Sequence, residues 1–467
     1  FTMTGGSITN NTASTGYGGG IHARIPLNMS GKPVIQGNTV GGKSNNVQLT
    51  GSILLRLTRK LEDGAKIYVT PNTPPSSGSP VNVADNNYYT IQDTDAAKFH
   101  ADDTSSGYEF AVINNGYYIE MRIKPHAHKI CADSTCTDDS HGEVEFNAWS
   151  DDSKLPDSTG NWYLTTDVTL SSKWEPKDGT VLCLNGHRIL SNGVSDVIDI
   201  KGVTFTLTDC NGSNGTYYFK KSTTTGREGM WEPSDSPSDI TVTGGVITHK
   251  SDENGDGVFV ESNGSFTMYG GTICGNWLNN SGSGVNIGSG TFNMYGGAVS
   301  GNRSPHNGGG VFLFGASCTF NMYGGTISDN YASNGGGVYV GGGTFTMNGG
   351  MIGSTETGKG NSAKDGGGVH ISGSSSTFTM SGNAKIAGNK ADYGAGVFMD
   401  SQTTFNMNGG SISGNEASGS AYGGGVYLNN YATFTMTSGT IGGEITGQGN
   451  TATMGAGVYV GNNATFH

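Results

Sequence analysis

Along most of this chain apolar residues alternate with polar ones for three to five positions, and glycine-rich runs separate the alternating stretches. In one copy the apolar positions are Phe345 and Met347, then Ile352, then Val369 and Ile371. A period of two over so few residues predicts short strands with one buried face. The separating Gly-Gly, Gly-Asn and Gly-Gly-Gly runs suit tight turns that need positive φ. The pattern recurs. The stretch Thr319-Phe-Asn-Met-Tyr-Gly-Gly-Thr-Ile-Ser-Asp-Asn330, with Gly335-Gly-Gly-Val-Tyr-Val340, has counterparts opening at Phe266, Phe292, Phe345, Phe378, Phe405, Phe434 and Phe466, spaced 25 to 33 residues apart. Such a period signals stacked repeats. Three short strands per repeat, each beside its equivalent in the next, make an all-β chain: a parallel β-helix, or solenoid.

Taken in order, the pattern divides the chain into four parts. Residues 1–70 read as the last coils of a first β-helix, from Phe1-Thr-Met-Thr-Gly-Gly through Ile53-Leu-Leu-Arg-Leu57 to Ala65-Lys-Ile-Tyr-Val69. Residues 71–124 read as a linker and an inserted small β module. Its expected strands are Tyr88–Ile91, Tyr108–Ile113 and Tyr117–Ile123, with Asn114-Asn-Gly116 as a hairpin turn. Residues 125–236 would form the cap and irregular first coils of a second β-helix, and 237–467 its regular repeats. Both ends fall inside a repeat, at Phe1-Thr-Met-Thr and Thr465-Phe466-His467, so a tandem continuation in a longer chain is expected.

Composition sharpens this picture. With 80 glycines and only 13% charged residues the chain has a disorder-like composition, but the recurrence of Phe, Met, Ile and Val at matching places argues for a packed solenoid. A net charge of −13 disfavours nucleic acid as a partner. No run of about 18 apolar residues is present, so no membrane-spanning segment is expected.

The second β-helix, from residue 125 on, resembles right-handed, pectate-lyase-like parallel β-helix modules of large repetitive surface proteins from Gram-positive gut bacteria. The resemblance rests on Tyr163-Leu-Thr-Thr-Asp-Val-Thr-Leu170, on Leu182-Cys-Leu-Asn-Gly-His-Arg-Ile189 and on the Gly-Gly-Gly-Val-Tyr-Val repeats. It implies a right-handed coil and an extracellular, wall-associated location. The class includes adhesins, stalks, phage fibres and carbohydrate-active enzymes, so it is specific for architecture and not for activity.

Candidate chemistry follows from position. The middle residue of each Val-x-Val strand should face outward: Phe312, Tyr339, His370, Phe398, Tyr427 and Tyr459, with Asn286 in the first regular coil. Stacked, they predict an aromatic stripe suited to glycans or host proteins, or alternatively to stiffening its own sheet. A second outward set, Tyr269, Tyr295 and Tyr323, ends after three coils. Asn276, Asn302, Asn330, Asn389 and Asn415 predict an asparagine ladder at a turn. Asp252-Glu-Asn-Gly-Asp-Gly257 opens like a calcium loop but has Asn263 at its twelfth position, and Gly255–Val258 fits the Gly-Gly-Gly-Val slot instead.

His126, His128, Cys131, Cys136 and His141 crowd one polar stretch and are of zinc-ligand type. The Cys-x4-Cys spacing is unusual for structural zinc, and a Cys131–Cys136 disulfide is the more economical expectation in an extracellular chain. Aligning Leu182 with Phe205 sets Cys183 opposite Thr206 and leaves Cys210 roughly 13 Å away, too far to bond. Cys274 and Cys318 fall at different places in their coils and are expected to be free thiols. Asp329, Asp392, Asp400 and Glu416 occupy different places in their coils, which gives no convergent catalytic set. The expectation is a non-catalytic surface adhesin or scaffold without a cofactor. A polysaccharide lyase or hydrolase, and then a phage fibre, are the alternatives.

Overall fold

A computed structural model describes the chain apart from residues 76–78, 87–88, 103–109, 124–125, 131–142, 194–195, 211–214, 251–252 and 444–447. The chain divides into two compact units, Phe1–Pro125 and His126–His467. The regular structure of both is almost wholly strand, paired mainly in parallel. The expected all-β, right-handed parallel β-helix is the architecture of the chain. Among the described residues, no helix is long and apolar enough to cross a membrane.

In the second unit three strand segments recur from coil to coil. The first carries the Phe-x-Met pair, as in Thr319–Met322, Thr344–Met347 and Thr377–Met380, and pairs in register with its neighbours, Phe upon Phe and Met upon Met. The second carries Ile or Val, as in Ala298–Ser300 and Thr326–Ser328. The third is the Val-x-Val strand, from Val258–Glu261 through Val338–Gly341 to Val458–Val460. Period-two alternation sends Phe, Met and Ile inward, where a Cβ on every coil meets its counterpart about 4.8 Å away. The Phe rings accordingly form one stack from Phe205 to Phe466, with centroids 4.6–5.8 Å apart and neighbouring planes within 9° of parallel. Except for the last, these rings are fully buried.

Beside that stack runs the asparagine ladder. It comprises Asn276, Asn302, Asn330, Asn361, Asn389, Asn415 and Asn450, so it includes two members beyond those expected. Each interior Asn Oδ1 accepts from the backbone N–H and the Nδ2 of the preceding Asn, while its own Nδ2 donates to a carbonyl one coil back. His249 closes the first end, its Nδ1 2.8 Å from Asn276 Oδ1. The ladder sets the glycine turns. A Cβ on Gly337 would lie 2.6 Å from the Gly368 carbonyl and 2.9 Å from Asn361 Nδ2, leaving room only for hydrogen.

Two additions frame the regular coils. His126–Lys129 pairs antiparallel with Glu143–Trp149, which in turn pairs in parallel with Asn161–Leu164, so a hairpin covers the first open strand edge. Thr216–Lys221, Trp231–Ser234 and Ile240–Thr243 form a small antiparallel sheet, packed through Phe219, Trp231 and Val242 onto Val246 and Cys274.

In the first unit, Leu27–Gln36, Leu55–Leu61 and Lys66–Thr70 are parallel coil strands. Residues 81–123 add to the same sheet. Val81–Asn86 pairs in parallel with Leu55–Leu61, and Phe99–Ala101 with Lys66–Thr70. Phe110–Asn114 and Tyr118–Ile123 form the expected hairpin across Asn115 and Gly116. The expected strand at Tyr88–Ile91 is absent from its described residues, 89–91, and Asp93–Ala96 forms a short helix just beyond. Asp95, buried in that helix, accepts from the Leu61 amide and the Tyr89 hydroxyl, which ties the helix to the coil.

Candidate functional site

The outward row of the third strand is in register throughout: Asp199, Phe259, Asn286, Phe312, Tyr339, His370, Phe398, Tyr427 and Tyr459 lie opposite one another in sequence. From Phe312 onward, ring centroids are 4.7–5.5 Å apart. The row is less exposed than its outward direction suggests, with Phe312, His370 and Phe398 only 4–8% accessible. Each ring covers its neighbour's face, and the glycine turn lies against the ring's base. A Cβ on Gly308 would sit 2.5 Å from that of Phe312, and one on Gly366 2.8 Å from that of His370. His370 also places Nε2 3.2 Å from Asp400 Oδ2. Burial works against ionisation of Asp400, but His370's hydrogen bond and charge outweigh it and hold the carboxyl below its usual range.

Toward the last coils the row opens. Tyr427 and Tyr459 are half-buried, and Tyr393 and Tyr422 stand beside them, Tyr393 5.8 Å from both Tyr422 and Tyr427 and Tyr422 4.9 Å from Tyr459. Sequence reasoning missed this flank because Tyr393 and Tyr422 precede the Val-x-Val strands and end a separate parallel pair, Lys390–Tyr393 and Glu416–Tyr422. The second outward set is also stacked, with Tyr269, Tyr295 and Tyr323 at 4.9 and 4.6 Å. Tyr295 and Tyr323 are more exposed than any ring of the main row between Phe312 and Phe398, at 43% and 42%.

The histidine–cysteine stretch behaves differently from its sequence expectation. Cys131, Cys136 and His141 lie outside the described residues. His126 and His128, on the hairpin, meet Cys183 and Cys210, and one donor atom from each of the four lies within 4.8 Å of the others. The expected separation of Cys183 from Cys210 is corrected. Thr180, not Leu182, pairs with Phe205, which puts Cys183 opposite Thr208 and brings its sulfur to 3.3 Å from that of Cys210. A slip of two residues keeps every side chain on its own face, so alternation alone does not distinguish the two registers.

The two imidazoles are held firmly. His126 stacks on Tyr163 at 4.0 Å, and His128 on Phe146 at 4.3 Å. His126 Nε2 lies 3.1 Å from the Cys210 sulfur. His128 Nδ1 lies 2.5 Å from the Lys129 carbonyl, so that nitrogen carries the proton and Nε2 presents its lone pair. His128 Nε2 is buried without a well-formed hydrogen bond. Cys183's hydrogen bond, with that of His126, holds the Cys210 thiol well below its usual value against burial. Burial pushes Cys183 the other way.

Of the acidic residues, Asp329 accepts from Lys221 and from the Trp231 indole, and Glu416 pairs with Lys390, so both are in structural contacts. These contacts edge a polar pocket of about 280 Å³ that also includes Glu228, Tyr331 and Ser362. A closer acidic pair lies where the irregular coils meet the regular ones. Asp196 Oδ1 accepts the Asp256 amide at 3.0 Å, and Asp256 Oδ2 accepts from Asn286. Burial raises both carboxyls, that of Asp256 furthest, and the Asp196 charge adds to it. The sequence hid this pair because 60 residues separate its members.

No family model, no curated protein and no solved structure matches this chain.

Proposed function

We propose that the chain is a non-catalytic, extracellular scaffold of the kind found in bacterial surface adhesins, which presents rows of tyrosine to a carbohydrate or a host protein. The observation that carries this reading is the opening of the in-register aromatic row into the half-exposed group Tyr393, Tyr422, Tyr427 and Tyr459. Tyrosine offers a ring edge for apolar sugar or side-chain surface and a hydroxyl for hydrogen bonding, at little cost in side-chain entropy. The buried rings of the row stiffen the sheet, and the half-buried tyrosines are those whose ring and hydroxyl a ligand can reach. The sequence resemblance to surface modules supports the location.

The test is a glycan array and a panel of extracellular-matrix proteins probed with the full chain. Two variants accompany it, Tyr422→Ser/Tyr427→Ser/Tyr459→Ser and Tyr295→Ser/Tyr323→Ser, each checked for retained β-sheet circular dichroism. Saturable binding lost only in the first variant supports the reading. Loss only in the second moves the contact to the other tyrosine row. No binding anywhere leaves a spacer.

One observation favours a second reading, a polysaccharide-active enzyme: Asp196, half-buried beside the buried Asp256, has a carboxyl that burial raises, as suits proton donation to a leaving group. Release of reducing ends or unsaturated products from acidic polysaccharides, abolished in Asp196→Asn, would establish it over the scaffold.

A further inference from the structure

We propose that His126, His128, Cys183 and Cys210 form a structural zinc site that clips the N-terminal hairpin onto the first coils of the second unit. The donor set is two imidazoles and two sulfurs, the combination that selects a soft or borderline divalent ion such as Zn²⁺. A tetrahedral ion with bonds of about 2.0–2.3 Å spaces its ligands roughly 3.3–3.8 Å apart. Here the two sulfurs are 3.3 Å apart, Cys210 Sγ and His126 Nε2 are 3.1 Å apart, and all four donors fall within 4.8 Å. Small outward shifts therefore make room for an ion at the centre.

Two features point to a ligand rather than to a chance meeting of side chains. The first is the buried Nε2 of His128, a lone pair within the cluster that no hydrogen bond satisfies. Leaving such a group unmade is costly, and a metal bond satisfies it. The second is the way the rings are prepared. Lys129's carbonyl fixes the His128 tautomer that leaves Nε2 free, and Phe146 and Tyr163 hold the two ring planes by stacking. Outer-shell partners of this kind orient metal-bound histidines. On binding, each cysteine enters as thiolate and any thiol proton it carries goes to solvent.

The placement gives the site a purpose. His126 and His128 lie on His126–Lys129, Cys183 ends the strand Thr180–Cys183, and Cys210 follows Thr204–Thr208. The ion would tie a hairpin to two consecutive coils at the end of the solenoid where the strand edge would otherwise be open. Four protein ligands leave no position for substrate, so the site is a clip and not a catalytic centre.

The experiment uses the full chain, purified under reducing conditions, stripped with a chelator and titrated with Co²⁺ and then Zn²⁺. One equivalent of Co²⁺ should bind with thiolate-to-cobalt charge-transfer absorption, and Zn²⁺ should displace it. The decisive variant is Cys183→Ser/Cys210→Ser, which should lose the charge-transfer band. If that variant fails to fold, His128→Gln, a change on the hairpin alone, takes its place and should weaken binding at least tenfold. In the wild type, zinc should slow hydrogen exchange in residues 126–129 and 143–149. Stoichiometric binding retained in Cys183→Ser/Cys210→Ser overturns the proposal, whatever Cys131→Ser/Cys136→Ser does. So does a reduced wild-type chain that takes up no metal.

Discussion

Replacing Asn361 with alanine tests the asparagine ladder at its centre. Asn361 is fully buried, and its side chain makes four hydrogen bonds: Nδ2 to the Ile327 carbonyl and to Asn389 Oδ1, and Oδ1 from the N–H and the Nδ2 of Asn330. In Asn361→Ala, Asn330 Nδ2 keeps the Val299 carbonyl, and Asn389 Oδ1 keeps the Asn361 amide. The Asn330 N–H and the Ile327 carbonyl lose the partners that the side chain supplied. Each buried group left unmade costs about 1–3 kcal/mol, so the coil should lose about 2–6 kcal/mol. At 1.4 kcal/mol per tenfold, even 3 kcal/mol makes local opening on the order of 100 times more frequent. Hydrogen exchange read by mass spectrometry on segments covering residues 326–353 measures that opening coil by coil, which a global melting curve of a solenoid does not. Asn450→Ala is the control. That residue is 9% exposed and ends the described ladder, so water should replace part of what is lost and exchange should rise about tenfold or less. Exchange in Asn361→Ala within about threefold of wild type, or equal effects at the two positions, would refute the reasoning.

Further outcomes follow from packing and charge. Phe345→Ala removes one ring from the middle of the buried stack and should cost about 3–5 kcal/mol in urea unfolding, whereas Phe466→Ala, on a 45% exposed ring, should cost much less. Gly301→Ala should displace the Trp231 indole, because its Cβ would fall 2.2 Å from that ring and its φ is +65°; a blue or red shift in tryptophan emission, with weaker docking of the Thr216–Ser234 hairpin, is the readout. Asp256→Asn should raise the melting temperature at neutral pH. Asp256's folded pKa lies above its unfolded value, so its contribution is complete below about pH 4 and is lost as pH rises through the folded value. Asparagine removes that loss while still accepting from Asn286. The gain should therefore grow from pH 4 to pH 8, and a variant less stable than wild type at pH 8 would contradict the assignment.

Alternation of apolar and polar residues determined the strands, the inward Phe, Met and Ile ladders and the outward row, because a period of two assigns each side chain to a face before any partner is known. Repetition determined that equivalent positions stack. Both signals are local or periodic, and they fail where the chain is neither. Asn361 and Asn450 escaped notice because longer turns separate them from Ile352 and Ile441, so the ladder's spacing broke in sequence while its geometry did not. Residues 81–123 looked like a separate module, yet their strands extend the first unit's sheet, since the choice of sheet edge belongs to pairing partners distant in sequence. Exposure of the aromatic row was also a tertiary matter: direction put the rings outside, but stacking and the glycine turn covered them. The clearest division is at Cys183 and Cys210. The pattern allowed two registers that differ by two residues, and only the paired coils chose the one that sets Phe205 opposite Thr180 and brings both sulfurs to His126 and His128, because a slip of two leaves alternation unchanged.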